Sequence, residues 1–479
     1  MRLLDSIGAS AGSRVPPSIR LDDLMAATRG RLLGTTRVTS FASAAVDSRH
    51  VTPGCCFVAL RGEREDGHRY AAEAVRAGAT VLLVAHPVDL PPESGAAIVE
   101  VANPLAALQE IAAWWRARMR ARVVGITGST GKTLAKEIMA DVLGRTLRVL
   151  RSEGNLNSET GLPMTLLNLE PRDEVAVLEM GMYTEGEIAR LVEIARPEVG
   201  VVLAVHATHL ERAGSLAAIG RAKEELPAAL PVDGLAVLNA DDPRVAQMRH
   251  ATRARVRTFG LDPSADVRAT QIESHGLDGT SFVLHAPWEE RRLTSATPGR
   301  HLVPHALAAV AVAEHLGVPF EEVVAALALG SRAPHRMART ETASGAIVID
   351  DTYNASPESV GAALEFLAES EVAPGRHRYA VLGDMLELGP DEERLHRLIG
   401  ARAAGVVDAL VTVGERGRWI GEAATAAGLG RVSAARDADE ALPIVERELA
   451  PGVGDLVLIK GSRGIELDRL VAALVGGGG

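Results

Sequence analysis

The stretch Gly125-Ile-Thr-Gly-Ser-Thr-Gly-Lys-Thr133 constrains this chain more than any other, because it joins an apolar run to a helical pattern through a glycine-rich turn. Arg122-Val-Val-Gly-Ile-Thr127 reads as a short buried strand, and Leu134 to Leu143 reads as a helix. Strand, glycine turn and helix in that order belong to a parallel α/β sheet. The turn's backbone N–H groups can wrap phosphate oxygens, and the helix adds its positive end. Gly128, Ser129, Thr130 and Gly131 form the cradle, Lys132 can reach the β and γ oxygens, and the Thr133 hydroxyl can ligate Mg²⁺. The general pattern wants a glycine at position 126, where Ile126 stands. A chance glycine loop is the bland alternative; strand, loop, helix and Lys-Thr together outweigh it. ATP is the expected ligand, and its use is the question left open.

Length and charge narrow that question. At 479 residues the chain has room for about three domains at ~150 residues each. A net charge of −11 argues against nucleic acid or an anionic membrane as a partner, since both attract excess Lys and Arg. Cys55 and Cys56 are adjacent in sequence and by themselves make neither a disulfide framework nor a metal cluster. Met1 to Ser10 lacks the apolar core of a signal peptide, and no apolar run approaches the ~18 residues of a membrane span. A cytoplasmic, monomeric enzyme with no membrane insertion is expected.

Strand-like and helix-like periods divide the chain into three blocks. Residues 1–111 read as a small α/β domain, with strands at Cys56–Leu60 and Thr80–Val84 and a helix at Tyr70–Ala77. Residues 112–332 read as a parallel sheet with helices on both faces, carrying the glycine loop and the apolar strands Glu174–Leu178 and Val199–Val205. Residues 333–479 read as a Rossmann-like sheet from Ala346–Ile349, Arg378–Leu382, Ala409–Val413 and Asp455–Ile459, with no second phosphate loop.

Ligands of open parallel sheets sit at the carboxyl ends of the strands. Glu179 follows one central strand and His206-Ala-Thr-His209 follows another, so a carboxylate and an imidazole end neighbouring strands. Mg²⁺ prefers oxygen ligands, so His209 taken alone reads as a structural residue near the metal. In the third block Asp350-Asp-Thr-Tyr-Asn-Ala-Ser-Pro357 and Gly383-Asp-Met-Leu-Glu-Leu-Gly389 occupy strand ends. An acidic pair buried alone would be costly, so a cation, a ribose hydroxyl or a backbone donor is expected beside it. Trp114-Trp115 with Arg116 and Arg118 reads as a packing helix rather than a nucleic-acid patch, and His206 and His315 as ordinary histidines.

Together these segments resemble the ATP-dependent Mur ligases of cell-wall synthesis over nearly the whole chain. Thr127–Thr133 looks like that family's own phosphate loop, Gly154-Asn-Leu-Asn-Ser-Glu-Thr-Gly-Leu-Pro163 like its substrate loop, and Asp47-Ser-Arg49 with Asp66-Gly-His68 like its uridine-nucleotide domain. No Asp-Asn-Pro-Arg string occurs. Asp351–Pro357, Gly383–Gly389 and Lys460-Gly-Ser-Arg-Gly464 are instead similar to the branch that adds D-alanyl-D-alanine to UDP-N-acetylmuramoyl-tripeptide.

That resemblance implies a mechanism and its residues. ATP would phosphorylate the tripeptide's terminal carboxylate, and the amine of D-alanyl-D-alanine would attack the acyl phosphate. Lys132, Lys223, His209 and Arg336 would be the catalytic set. Mg²⁺ would fall to Thr133, Glu179, His209 and a carbamylated Lys223; an unmodified Lys223 in a surface ion pair is the alternative. Arg336 would reach the γ phosphate and Asp351 the ribose, both on domain closure. Substrates would meet Asp47, Ser48, Arg49, Asn157, Thr160, Tyr353, Asn354 and Ser462. The family's nucleotide pattern Gly-x-His-Asn-x-x-Asn appears here as Gly299-Arg-His-Leu-Val-Pro-His305, so Leu302 and His305 replace two amides. His305 could stack or donate one hydrogen bond, and a weaker or relaxed nucleotide preference follows. Rival readings are a sister ligase adding one amino acid, a folylpolyglutamate-synthetase-like ligase, and a nucleotide switch without ligase activity.

Overall fold

The computed structural model describes residues 18–62, 65–91, 94–206, 212, 214–330 and 335–476. The expected α/β class forms, with sheets that are mostly parallel. Contacts divide the chain into two compact units, one of residues 1–125, 147–181 and 187–198, the other of residues 126–146, 182–186 and 199–479.

In the first unit a five-stranded sheet runs Arg31–Leu33, Ala97–Glu100, Val81–Val84, Cys56–Val58, Ala44–Ala45. Its last four strands are parallel and Arg31–Leu33 is antiparallel. Phe57, Leu82 and Val84 meet Ala71 and Ala74 of the following helix, and both cysteines are buried and free, as small core residues. Helix Pro104–Arg116 begins where Asn103 accepts from the N–H groups of Leu105 and Ala106 and Pro104 presets the first turn. It is a packing helix, with Trp115 Nε1 donating to Leu169 O at 3.0 Å and Arg118 stacked over Trp114. Val149–Arg151 and Val175–Glu179 pair in parallel, and Glu179 ends its strand.

In the second unit the strands run Glu289–Ser295, Thr280–Ala286, Val267–Ser274, Arg255–Gly260, Leu235–Asn239, Val199–Val202. The last four are parallel, and Thr280–Ala286 pairs antiparallel with the strands on both its sides. Ala236 and Leu238 pack with Ile219 of helix Leu216–Ala228. Alternation along the strand turns Leu235 and Val237 the other way. Helix Val303–Leu316, apolar nearly all round, packs on the same strands. The strand expected to reach Val205 stops at Val202. The reason is local: Leu203 N–H bonds Thr127 O at the very end of strand Arg122–Thr127, and from there Ala204 O accepts from Ser129, so pairing passes from the strand to the glycine loop.

The same unit holds a six-stranded sheet in the order Ala338–Glu341, Ile347–Asp350, Leu456–Lys460, Arg378–Gly383, Ala409–Val413, Val432–Ala435, parallel except for its first strand. Alternate residues divide cleanly between two cores. Ile349, Leu382 and Leu458 face helices carrying Leu364, Ile399 and Ile420, while Val348, Val381 and Ile459 face helices carrying Ala441 and Leu470.

One packing defect lies beneath the loop helix. A cavity of about 20 Å³, room for roughly one water, is lined by Ile138, Val142, Thr280, Leu302, Val303 and Leu327 among others. Thr280 Oγ1 is buried there without a protein partner. Replacing Thr280 by Val keeps the volume and removes that hydroxyl, so T280V is expected to gain about 1 kcal/mol. Urea unfolding checks this, and equal or lower stability contradicts it.

Candidate active site

The glycine loop has the conformation its sequence requires. Gly131 has φ +80° and caps helix Lys132–Leu143, which therefore starts two residues before the expected Leu134. A Cβ on Gly128 would lie 2.9 Å from Leu203 Cβ, so only glycine lets the loop pass the end of the neighbouring strand. Ile126 is fully buried within strand Arg122–Thr127, which explains the departure from the general pattern: position 126 is a sheet residue here, not a turn residue. Ser129 ties the loop down, donating its N–H to Ala204 O at 2.8 Å, its hydroxyl to His206 O at 3.0 Å, and accepting His206 N–H at 2.9 Å. Lys132 Nζ reaches back to Gly128 O at 2.6 Å. Thr130 is half-buried on the loop and Thr133 is buried at the helix start.

Arg336 comes to this loop from the third block. Its Nη2 donates to Thr133 Oγ1 at 3.1 Å, and its guanidinium lies 4.0 Å from the centre of the Tyr353 ring. Arg336, expected to reach the γ phosphate on domain closure, here bonds the loop helix at Thr133. His335 and Met337, on either side, both adopt left-handed backbone, with φ +57° and +50°. Two such non-glycine residues in a row of three are strained, and strain of this kind persists only where surrounding contacts over-determine it. Here His335 Nδ1 bonds Asp350 Oδ2 at 2.8 Å, and His335 O accepts from Tyr353 N–H at 3.2 Å. Arg336 Nε is buried with no partner of its own.

The acidic pair finds the partners that burial demands: Asp350 has the His335 imidazole, and Asp351 has the Lys460 amine, whose Nζ donates to Asp351 Oδ2 at 2.6 Å and to Asn354 O at 2.9 Å. Lys460 is 1% exposed. Asn354 thus contributes its carbonyl to this pair. The Ser462 hydroxyl accepts Leu386 N–H at 2.9 Å and lies 3.4 Å from Ala355 O, holding two strand-end loops together. The family resemblance gives Lys460 no role of its own within Lys460–Gly464. The signal was there: a lysine ends a wholly apolar strand, the same rule that singled out Glu179. Breaking a buried pair strands the remaining charge, so K460M should cost about 3–5 kcal/mol, and the double variant D351N/K460M markedly less. Chemical denaturation of the three proteins checks the order.

Lys223 is 2% exposed, not on the surface, and burial followed by the nearby charge of Lys132 holds its amine well below the usual lysine value. The surface ion pair is therefore not what forms. His209 lies outside the described residues. In the first unit Glu179 is buried, its Oε2 accepting Asn157 Nδ2 at 3.2 Å, while Asn157 O takes Gly181 N–H. Thr160 and Ser158 share a hydrogen bond at 3.0 Å beside helix Gly161–Leu166. Asp47 holds Arg49 through both carboxylate oxygens, which keeps its pKa near about 2, and Ser48 donates to Glu73 Oε1 at 3.0 Å.

The two residues that replace amides part company. Leu302 is buried in the cavity wall, away from any polar role. His305 lies against Gly131, and its pKa is pushed down to about 3 by burial first, then by His301 and Arg336. Its folded pKa is below its unfolded one, so its contribution is whole above about pH 6.5 and is lost as pH falls toward about 3. Stability of H305F should accordingly fall less than wild type across that window, read by thermal unfolding against pH.

The chemistry of this donor set fits a polyphosphate. A positive helix end, Lys132, Arg336 with an unpartnered Nε, and buried Lys223 converge on or near one glycine cradle. Comparison with known proteins agrees. Family models match residues 42–116 as the Mur ligase family catalytic domain, 126–313 as the Mur ligase middle domain and 335–463 as the Mur ligase glutamate ligase domain. The UDP-N-acetylmuramoyl-tripeptide–D-alanyl-D-alanine ligase of Escherichia coli K12 is 37% identical, covering 95% of this chain and 98% of that protein. The Mycobacterium tuberculosis H37Rv protein of the same name is 40% identical over 90% and 91%. Among solved structures, MurF from Acinetobacter baumannii superposes with a TM-score of 0.85 at 31% identity over 96% and 99% of the chains. MurF from Thermotoga maritima in complex with ADP gives 0.77 at 28% identity, over 91% and 97%.

Proposed function

Because the chain belongs to the Mur ligase family, we propose that it joins D-alanyl-D-alanine to UDP-N-acetylmuramoyl-tripeptide, using ATP, in peptidoglycan precursor synthesis. Full-length similarity to ligases of that name supports the substrates. The observation that carries the chemistry is Arg336 of the third block bonded to Thr133 of the phosphate loop. A nucleotide switch has no use for that contact. The blocks 1–111, 112–332 and 333–479 would bind the UDP-sugar, ATP and the incoming dipeptide, which accords with the three family-model matches. A cytoplasmic location fits the absence, among the described residues, of any helix long and apolar enough to cross a membrane.

The reaction asks for charge neutralisation and alignment more than for acid–base chemistry. The tripeptide's terminal carboxylate oxygen attacks the γ phosphorus, the bond to the β-phosphate oxygen breaks, and ADP leaves. Loop amides and Lys132 hold the β and γ oxygens, and Arg336 meets the charge that develops on the transferring group. The amine of D-alanyl-D-alanine then adds to the acyl phosphate carbonyl, loses a proton and expels inorganic phosphate. By the resemblance, Thr133, Glu179, His209 and a carbamylated Lys223 would hold Mg²⁺, which would supply further neutralisation. Thr133 and Glu179 offer the oxygen donors it prefers. The neutral amine, which burial of Lys223 favours, is the form that attacks carbon dioxide, forming an N–C bond and releasing a proton; the product carries oxygens in place of an ammonium.

Incubation with ATP, Mg²⁺, UDP-N-acetylmuramoyl-tripeptide and D-alanyl-D-alanine should yield the pentapeptide mass. Product with a single diamino acid only, or phosphate release without product, would overturn the reading. In buffers stripped of carbon dioxide, activity should fall at least several-fold and return with bicarbonate, and K223A should respond to neither change.

A further inference from the structure

The last glycine of the phosphate loop and the imidazole of His305 occupy one space. A Cβ on Gly131 would lie 2.6 Å from His305 Nε2 and 3.3 Å from Nδ1, and closer still to Cε1. The ring thus rests where residue 131 would carry a side chain, on the outside of the turn that starts helix Lys132–Leu143. His305 belongs to the first turn of helix Val303–Leu316, which packs along the loop helix. Next to it Leu302 and Val303 only line the cavity of about 20 Å³. Contact between the two helices is therefore loose at the cavity and tight at the ring.

We propose that His305 is a positioning residue of the nucleotide site: its ring braces Gly131 from behind and holds the loop in the open-handed form that receives phosphates. The proposal deepens the ATP-dependent reading above and rests on it. Gly131 has φ +80°, a conformation a free glycine leaves readily. Ser129 and Lys132 Nζ tie down the other end of the loop, at Ala204, His206 and Gly128, whereas at Gly131 the bond is the helix's own first one, Ala135 N–H to Gly131 O at 2.9 Å, which leaves the outer side of the turn to the ring. A ring in van der Waals contact limits the motion without consuming a loop N–H. The imidazole is neutral, so it adds no charge beside the positive helix end and Arg336. Its Nδ1 is buried without a partner. The side chain's fit, rather than a bond to protein, explains its position.

Shape and nitrogen can be separated by substitution. H305A should raise the KM for ATP about tenfold, leave the KM for the UDP-linked tripeptide unchanged and leave the thermal midpoint near that of wild type. H305F, which keeps a ring but no nitrogen, should restore ATP KM to within about threefold. G131A should bind ATP poorly, and G131A/H305A should recover part of that loss, giving a nonzero coupling in the cycle with the two single variants. Tight ATP binding by H305A overturns the brace, and so does a coupling of zero. H305F as weak as H305A also overturns it, in favour of a direct hydrogen bond from His305 to the nucleotide. Equal rises in both KM values would mean a merely structural role. Nucleotide affinity measured by calorimetry with ATP alone keeps these outcomes apart from failure of the ligase reading, which wild-type protein without pentapeptide product would signal.

Discussion

The contact between Arg336 and Thr133 is the interaction on which the rest of the site depends. It carries a cation from the third block to the first turn of the phosphate-loop helix, at a hydroxyl suited to metal. Much of the surrounding structure serves that one reach. Left-handed backbone at His335 and Met337 aims the guanidinium, Asp350 holds His335, and the Tyr353 ring supports the guanidinium from below. The strain is tolerable because burial and hydrogen bonds leave the segment no relaxed alternative.

A second network in the same block works by burial. Lys460 and Asp351 neutralise one another almost out of reach of water, and Lys460 also gathers the Asn354 carbonyl. Ser462 bridges to Leu386, and Ser462 N–H donates to Asp384 O. Asp384 in turn receives Gly417 N–H at 2.7 Å, while burial raises its pKa. Three loops at the carboxyl ends of neighbouring parallel strands are thereby held as one surface. Parallel sheets leave such loops side by side, which is why ligands are found there. Asn354 and Ser462, which the resemblance assigns to the incoming substrate, belong to this network through Lys460 and Leu386.

Electrostatics divides the lysines by depth. Lys132 stays at the loop, bonded to Gly128 O, whereas Lys223 is buried near it, and two ammonium groups so placed disfavour each other. Burial and that neighbouring charge both push the Lys223 amine down, toward its neutral form. The same physics keeps His305 uncharged beside Arg336. A site built to hold a polyanion therefore limits its own positive charge until the anion arrives, and neutral side chains fill places where further cations would repel.

The sequence by itself determined the α/β class, the phosphate loop, the strand-end positions of Glu179, Asp350 and Asp351, and the family. Those follow from local rules, since glycine turns, β-branched runs and polar residues after apolar strands carry their meaning within about ten positions. It also anticipated that the acidic pair needs a cation, without saying which. Lys460, 109 residues from Asp351, became that partner only when two parallel strands set their ends together. Tertiary structure alone decided that Lys223 is buried, that Leu302 leaves the polar site for a cavity while His305 stays against Gly131, and that the strand at Val199 ends early to bond the loop. Each of these depends on what lies across from a residue, and packing between distant segments has no period or spacing in sequence to announce it.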